Sequence, residues 1–269
     1  MLKFGYCANM IAQESNGIGY EQIPLLKRTG FDYVELPLAQ LMTMGDKAFR
    51  TGPLAALESA GLPCRACNNF FPATYRLTGP GVDMDSALAY AETALHRAAI
   101  LGATHVVFGS AGARNMPRGF DAFTALSQLA TLLRRLGDLA GSFGITLVIE
   151  HLNLAESNLV NRFSQGLHLA RETNHPHVAV LVDLYHLRLS HEPIEDLVDA
   201  GNRLKHVHIA RTLKRSLPLP DDEEDYVCLF KQLKQINYAG DVSVEARMLP
   251  DQNEATLAES LAYLRTCAK

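Results

Sequence analysis

The sequence predicts a (β/α)8 barrel, a single TIM-barrel domain spanning residues 1–269. Three observations carry that prediction. Short runs rich in β-branched and aromatic residues alternate with longer amphipathic segments from end to end, which is the pattern of βα units feeding a parallel sheet. Eight such runs can be counted, with a helical segment after the last. The turn after the first run, CANMIAQESNGIG, holds neither a GxGxxG nor a P-loop element, so nothing marks an open, doubly wound nucleotide-binding sheet.

The runs fall at residues 3–9 (KFGYCAN), 33–37 (YVELP), 63–70 (PCRACNNF), 105–110 (HVVFGS), 146–150 (TLVIE), 178–183 (VAVLVD), 204–210 (LKHVHIA) and 241–247 (DVSVEAR). Between them apolar residues recur at helical spacing, as in 87–100 and in the Leu- and Ala-rich stretch 123–140. Gly30, Gly61, Gly102, Gly144, Gly201 and Gly240 stand before strands, where a left-handed cap or turn residue ends a helix and returns the chain to the sheet. No linker or composition shift divides the chain.

Composition narrows the function. At 48% hydrophobic and 20% charged, the chain can bury a large core and is neither disordered nor a disulfide-stapled miniature. Its 25 Lys+Arg against 29 Asp+Glu give a net charge of −4 without a basic run, so no nucleic-acid partner is expected. No apolar stretch approaches the roughly 20 residues that cross a bilayer. The start MLKFGYCANM lacks the features of a signal peptide, so the sequence predicts a cytoplasmic protein without a membrane partner. Five Cys fit reduced thiols. Cys64 and Cys67 form a CxxC inside a strand run, where residues three apart face opposite sides, and packing is the expected role of both.

In a (β/α)8 barrel the active site is built at the C-terminal ends of the strands. Four consecutive runs deliver polar groups there: Glu150 ends the fifth, Asp183 ends the sixth, His208 lies near the end of the seventh and Glu245 near the end of the eighth. A carboxylate that ends a strand often does no more than cap the next helix, and a strand His is often a core residue. Four in succession on one rim are not explained that way. Three converging carboxylates would repel unless a cation sat among them. An oxygen-rich set with one imidazole favours one divalent ion, Mn²⁺ first and Mg²⁺ or Co²⁺ next, over a thiolate zinc site. Two octahedral positions would then remain for adjacent oxygens of a sugar.

The stretches VIEHLNLAESNLVN, LVDLYH, HVHIA and SVEAR resemble the xylose-isomerase-like sugar isomerase/epimerase barrels, nearest to the D-tagatose 3-epimerase (ketose 3-epimerase) group. The resemblance implies that Glu150, Asp183, His208 and Glu245 hold one divalent metal. It also makes Glu150 and Glu245 the acid/base pair that inverts a carbon beside a ketone through a cis-enediolate. Two carboxylates are needed, because a single base returns the proton to the face it left. Glu156 matches the family residue that binds a terminal hydroxyl, and His186 the one that contacts the enediolate oxygen. An Arg follows the seventh-strand His in the family; here Arg211, Lys214 and Arg215 are available, and Arg215, which precedes LPLP, is preferred. Two departures stand out. The loop after His208 does not have the tagatose-epimerase length, and Leu154 occupies a stretch where many related barrels carry Arg. Tyr6, Cys67, Asn68 and Phe70 end strands one and three, where they would wall the pocket or pack the barrel.

The expected activity is therefore a metal-dependent isomerase acting on a ketose or polyol ketone, in a protein that forms a homo-oligomer. An inosose-type dehydratase, or a hydroxypyruvate or aldose–ketose isomerase, would share the same metal site. A DNA-repair endonuclease of this superfamily would need more metal ligands and a basic rim. A binding barrel would need no pair of bases.

Overall fold

A computed structural model describes residues 2–269. Eight parallel strands close one barrel in sequence order: β1 Lys3–Cys7, β2 Tyr33–Pro37, β3 Cys64–Asn68, β4 His105–Phe108, β5 Thr146–Glu150, β6 Val178–Asp183, β7 Leu204–Ile209 and β8 Asp241–Val244. Closure comes from β1 and β8, paired from Lys3↔Asp241 to Tyr6↔Val244. The expected runs at 33–37, 146–150 and 178–183 coincide with strands, and the others overshoot at their C-terminal ends. There the chain leaves the ladder to build the loops of the catalytic rim, so residues 8–9, 69–70, 109–110, 210 and 245–247 lie outside the strands.

Apolar packing is concentrated between strands and helices. The helix Met84–Leu101 presents Ala87, Ala91, Ala94, Leu95 and Ala98 to the sheet, and small residues at that spacing allow close approach. The helix Ala122–Ser142 buries Leu129, Leu132, Leu133 and Leu136 in the same way. Asp83 and Asp121 cap these two helices by accepting from the Ser86 and Thr124 N–H groups. Val107, Val148, Ala179 and Leu181 form a second, smaller apolar cluster on β4, β5 and β6, and the strands also bury the polar side chains of Glu35, Glu150, Asp183, His206, His208 and Ser243.

Two expectations about the backbone are corrected. Gly30, Gly61 and Gly102 are left-handed helix caps, and Gly144 and Gly201 also have positive φ, but Gly240 does not. After the helix Tyr226–Gln235 the left-handed residue is Asn237 (φ 53°). Gly240 is small for another reason: a Cβ there would lie 2.4 Å from the Tyr238 hydroxyl and 2.8 Å from the Lys205 carbonyl. Nor do Cys64 and Cys67 face opposite sides. The β2–β3 register shifts between Val34 and Glu35, opposite Cys64 and Ala66, so β3 carries an extra residue and both thiols join the same apolar core, with Cys64 Sγ donating to the Ala66 carbonyl (3.3 Å). Both are buried free thiols. Among the described residues, no helix is long and apolar enough to cross a membrane.

Candidate metal and substrate site

The four polar residues of the second half of the chain meet at one point on the rim. Glu150 ends β5, Asp183 ends β6, His208 is the penultimate residue of β7 and Glu245 follows β8 directly. Register places Asp183 beside His208, and the Glu245 N–H donates to the Ile209 carbonyl (2.9 Å), which prolongs the ladder to the site. One ligand atom from each of the four lies within 4.8 Å of the others, and all four residues are buried. His208 Nδ1 is 2.9 Å from Glu245 Oε2 and 3.3 Å from Glu150 Oε1. Asp183 does two jobs: Oδ1 accepts from the Tyr185 N–H (2.8 Å), capping the helix Leu184–Leu189, while Oδ2 is within reach of His186 and Arg215.

The electrostatics show what this clustering costs. Burial pushes the Asp183 carboxyl up to about 7, and Glu245 and Glu150 add to the rise while Arg215 opposes it. Burial raises Glu150 as well, with Glu245 contributing. Burial works on Glu245 in the same sense, but Arg215 and His208 outweigh it and hold that carboxyl below its usual range. A group of three carboxylates and one imidazole so closely spaced fits a divalent cation of the oxygen-preferring class, which would offset their mutual repulsion.

Arg215 is the cation the protein itself supplies. Its Nη2 lies 2.6 Å from Glu245 Oε2 and 3.1 Å from Asp183 Oδ2, its Nη1 is 3.7 Å from Glu156 Oε1, and its guanidinium stacks 4.7 Å from the Tyr185 ring. Lys214 and Arg215 both adopt positive φ (61° and 49°), a sharp turn that swings the Arg215 side chain back over the barrel mouth. Arg211 is instead held by its backbone, which pairs with Ser216 across the loop, and Lys214 is exposed.

His186 is fully buried behind Asp183, with Nε2 3.5 Å from Asp183 Oδ2 and 4.0 Å from Glu156 Oε2. Its Nδ1 faces the backbone N–H of Asn153 (3.2 Å) and the Asn153 side-chain amide (2.9 Å). An N–H aimed at Nδ1 makes that atom the acceptor, so the proton of the neutral ring resides on Nε2. Burial and Arg215 hold the ring well below the usual His value, which keeps it neutral. Nε2–H is therefore a fixed donor on the site side, without a hydrogen-bond acceptor among the described residues. Glu156, more exposed, accepts from Asn153 (3.0 Å) and completes this edge.

The remaining sequence candidates lie elsewhere. Tyr6 turns outward from β1 against Phe31, and its hydroxyl donates to the Ala246 carbonyl (2.6 Å), so it braces the chain beyond Glu245 from behind. This corrects its expected place in the pocket wall: alternation along β1 turns Tyr6 outward and Cys7 inward towards His208. Asn68 binds Asn9 (3.1 Å) on the β1–β3 side of the rim, and Cys67 and Phe70 are fully buried. Leu154 is 81% exposed.

Four residues at or behind the site escaped the sequence reading. Arg114, fully buried, donates from Nη1 to the carbonyls of Phe108 (3.0 Å) and Glu150 (2.7 Å), tying the ends of β4 and β5 together. Gly109 backs onto Glu150, whose Oε2 would lie 2.1 Å from a Cβ there. Tyr185 supplies the face under Arg215. Glu35, in the middle of β2, contacts His208 from within the barrel. Only Glu35 left a trace in the sequence, as a carboxylate inside the apolar run YVELP.

Comparison with known proteins agrees with this fold. The profile of the family described as "Xylose isomerase-like TIM barrel" matches residues 23–267. The 3-dehydro-D-guloside 4-epimerase of Escherichia coli K12 is 27% identical over 263 residues, covering 92% of this chain and 94% of that protein. The ketose 3-epimerase of Arthrobacter globiformis is 28% identical over 240 residues, covering 87% and 78%. Among solved structures, a D-psicose 3-epimerase determined in the presence of D-fructose superposes with a TM-score of 0.87 at 19% identity, over 99% of both chains.

Proposed function

This chain belongs to the xylose isomerase-like TIM-barrel family, and from that premise and the geometry of its rim we propose that it is a divalent-metal-dependent epimerase inverting a carbon next to the ketone of a sugar. Its class, an isomerase like the ketose 3-epimerases, follows from relatives matched over most of their length. The observation that carries the mechanism is the convergence of Glu150, which ends β5, and Glu245, which follows β8, on His208 Nδ1 at 3.3 and 2.9 Å.

Glu150, Asp183, His208 and Glu245 would hold the ion. When bound, it supplies Lewis acidity that polarises the ketone and acidifies the neighbouring C–H. The protein's own groups do the rest. One of Glu150 and Glu245 takes the proton from the carbon beside the carbonyl, and the other returns a proton to the opposite face. A single carboxylate could not invert the centre. The opposite displacements of these two carboxyls suit such a pair, with Glu245 ionised more readily than Glu150. The His186 Nε2–H and the Arg215 guanidinium are positioned to donate to oxygen that becomes negative as the enediolate forms. Glu156, at the open edge, would accept from a hydroxyl at the substrate's far end.

Mn²⁺ is the ion this reading prefers, and a sugar or polyol ketone is its partner. A homo-oligomer belongs to the same reading. The test is proton exchange in D₂O, followed by NMR with ketohexoses, ketopentoses, keto-glycosides and inososes, with Mn²⁺ and with a chelator. Metal-dependent deuterium at the carbon beside the ketone, together with the epimeric sugar, supports the reading. Deuterium with loss of water from the product would replace it with a dehydratase, and no exchange with any ketone would overturn it.

A further inference from the structure

Glu35 projects from β2 into the barrel and is completely enclosed. Three groups converge on its carboxylate: His206 Nε2 at 2.9 Å from Oε2, Ser243 Oγ at 2.7 Å from Oε2, and His208 Nε2 at 3.1 Å from Oε1. Tyr33 extends the set, its hydroxyl 2.8 Å from Ser243 Oγ. His206 and His208 both point inward because residues two apart on a strand share one face, and the β6–β7 register is regular from Leu181↔His206 to Asp183↔His208.

Glu35 accepts from Ser243 Oγ and presents both of its oxygens to His208 Nε2, at 3.1 and 3.2 Å, and a carboxylate set against an imidazole nitrogen in that way is its acceptor. His208 must therefore carry a proton on Nε2, and its other nitrogen, Nδ1, is the one turned towards Glu150 and Glu245. A ligating imidazole is commonly oriented by a carboxylate at its remote nitrogen, which fixes both tautomer and ring plane. We propose that Glu35, anchored by His206 and Ser243, is the positioning residue that locks His208 with Nδ1 presented to the metal. The inference rests on the metal reading given above and extends it from the rim to the barrel interior.

Metal affinity tests it directly, with Zn²⁺ as a diamagnetic probe in competition with a chromophoric chelator. Glu35→Gln should weaken binding by about 10- to 100-fold. Ser243→Ala, which removes a partner of Glu35 without touching His208, should change it by less than about threefold. If both variants lower the melting temperature while the affinity of Glu35→Gln stays within threefold of wild type, Glu35 is merely structural and the proposal fails. Should Glu35→Gln not fold, the wild-type protein decides the matter. Long-range ¹H–¹⁵N spectra of the Zn²⁺-loaded chain should show His208 protonated at Nε2 and bare at Nδ1, and the opposite tautomer would overturn the assignment.

Glu35, His206 and His208 also lie close enough to hold an ion themselves. Uptake of a second Zn²⁺ that Glu35→Gln abolishes would make Glu35 a ligand instead and sink the proposal. A wild-type protein that takes up no divalent ion would overturn the metal reading itself, an outcome distinct from unchanged affinity in the variant.

Discussion

Arg215 Nη2 sits 2.6 Å from Glu245 Oε2, so the loop after β7 is fastened to the residue that follows β8 by a charged hydrogen bond over the barrel mouth. The same nitrogen reaches Asp183, and a single side chain thereby holds two of the four clustered groups. Arg215→Ala should lower kcat/KM by about 10²- to 10³-fold, the cost typical of losing one donor to developing negative charge. Lys214→Ala, at an exposed neighbour on the same turn, should stay within about threefold of wild type. Steady-state kinetics on both variants check the ranking, and the reverse order would place the functional cation elsewhere in the loop.

Glu150→Gln and Glu245→Gln keep the shape of the side chain and remove its basicity. Each should lower turnover by at least about 10²-fold while the protein remains folded by circular dichroism. If the pair acts as two bases, one variant can still exchange the substrate proton with solvent from one face without producing the epimer. Deuterium wash-in measured separately from epimer formation would show this, and a variant retaining more than about a tenth of wild-type epimerisation would rule out the two-base scheme.

Metal-free protein should lose stability as the pH rises from about 4 through 7 and beyond. Burial, with Glu245 and Glu150, lifts Asp183 from 3.8 to about 7. His208 is held well above 6.5 because Glu35 and Glu245 outweigh the effect of its burial. Both groups bind a proton more tightly folded than unfolded, so their contribution is full below the unfolded pKa and disappears as the pH climbs through the folded one. The window for Asp183 runs from about 4 to 7, and that for His208 begins near 6.5 and extends upward. Glu35 and Glu245, displaced downward, act in the opposite sense and only in acid, below their unfolded value of 4.5. Thermal melts in chelator should therefore fall across the range, and the gain on adding Mn²⁺ should be larger at pH 8.5 than at pH 6. A flat chelator profile would mean that the cluster is not coupled to folding.

The barrel could be read from the sequence because each βα unit advertises itself locally, by β-rich runs and helical spacing, and because Glu150, Asp183, His208 and Glu245 stand at or just past the C-terminal ends of four successive strands. What could not be read depends on distant packing. The place of Tyr6 at a strand end leaves pocket wall and barrel packing both open, because which side of β1 it takes depends on pleat phase and on Phe31 and Ala246. The CxxC pair was misread because a register shift leaves no mark in the residues themselves. Arg114 joins β4 to β5 from a loop with no distinguishing pattern, and its role rests entirely on two carbonyls brought near it by folding.

Gly109 offers the sharpest test of how closely the site is fitted. It follows β4, and a Cβ added there would lie 2.1 Å from Glu150 Oε2, far inside contact distance. Its backbone is not in the left-handed region, so Gly109→Ala strains no dihedral and acts only by pushing the carboxylate away. Glu150 cannot retreat freely, because its carbonyl is held by Arg114 and its Oε1 lies 3.3 Å from His208 Nδ1. A shift of an ångström at a reacting group costs about 10²-fold in rate. Gly109→Ala should therefore lose about that much kcat and bind metal more weakly, while its melting temperature in chelator stays within a few degrees of wild type. Full activity in this variant would show that Glu150 works from a different position.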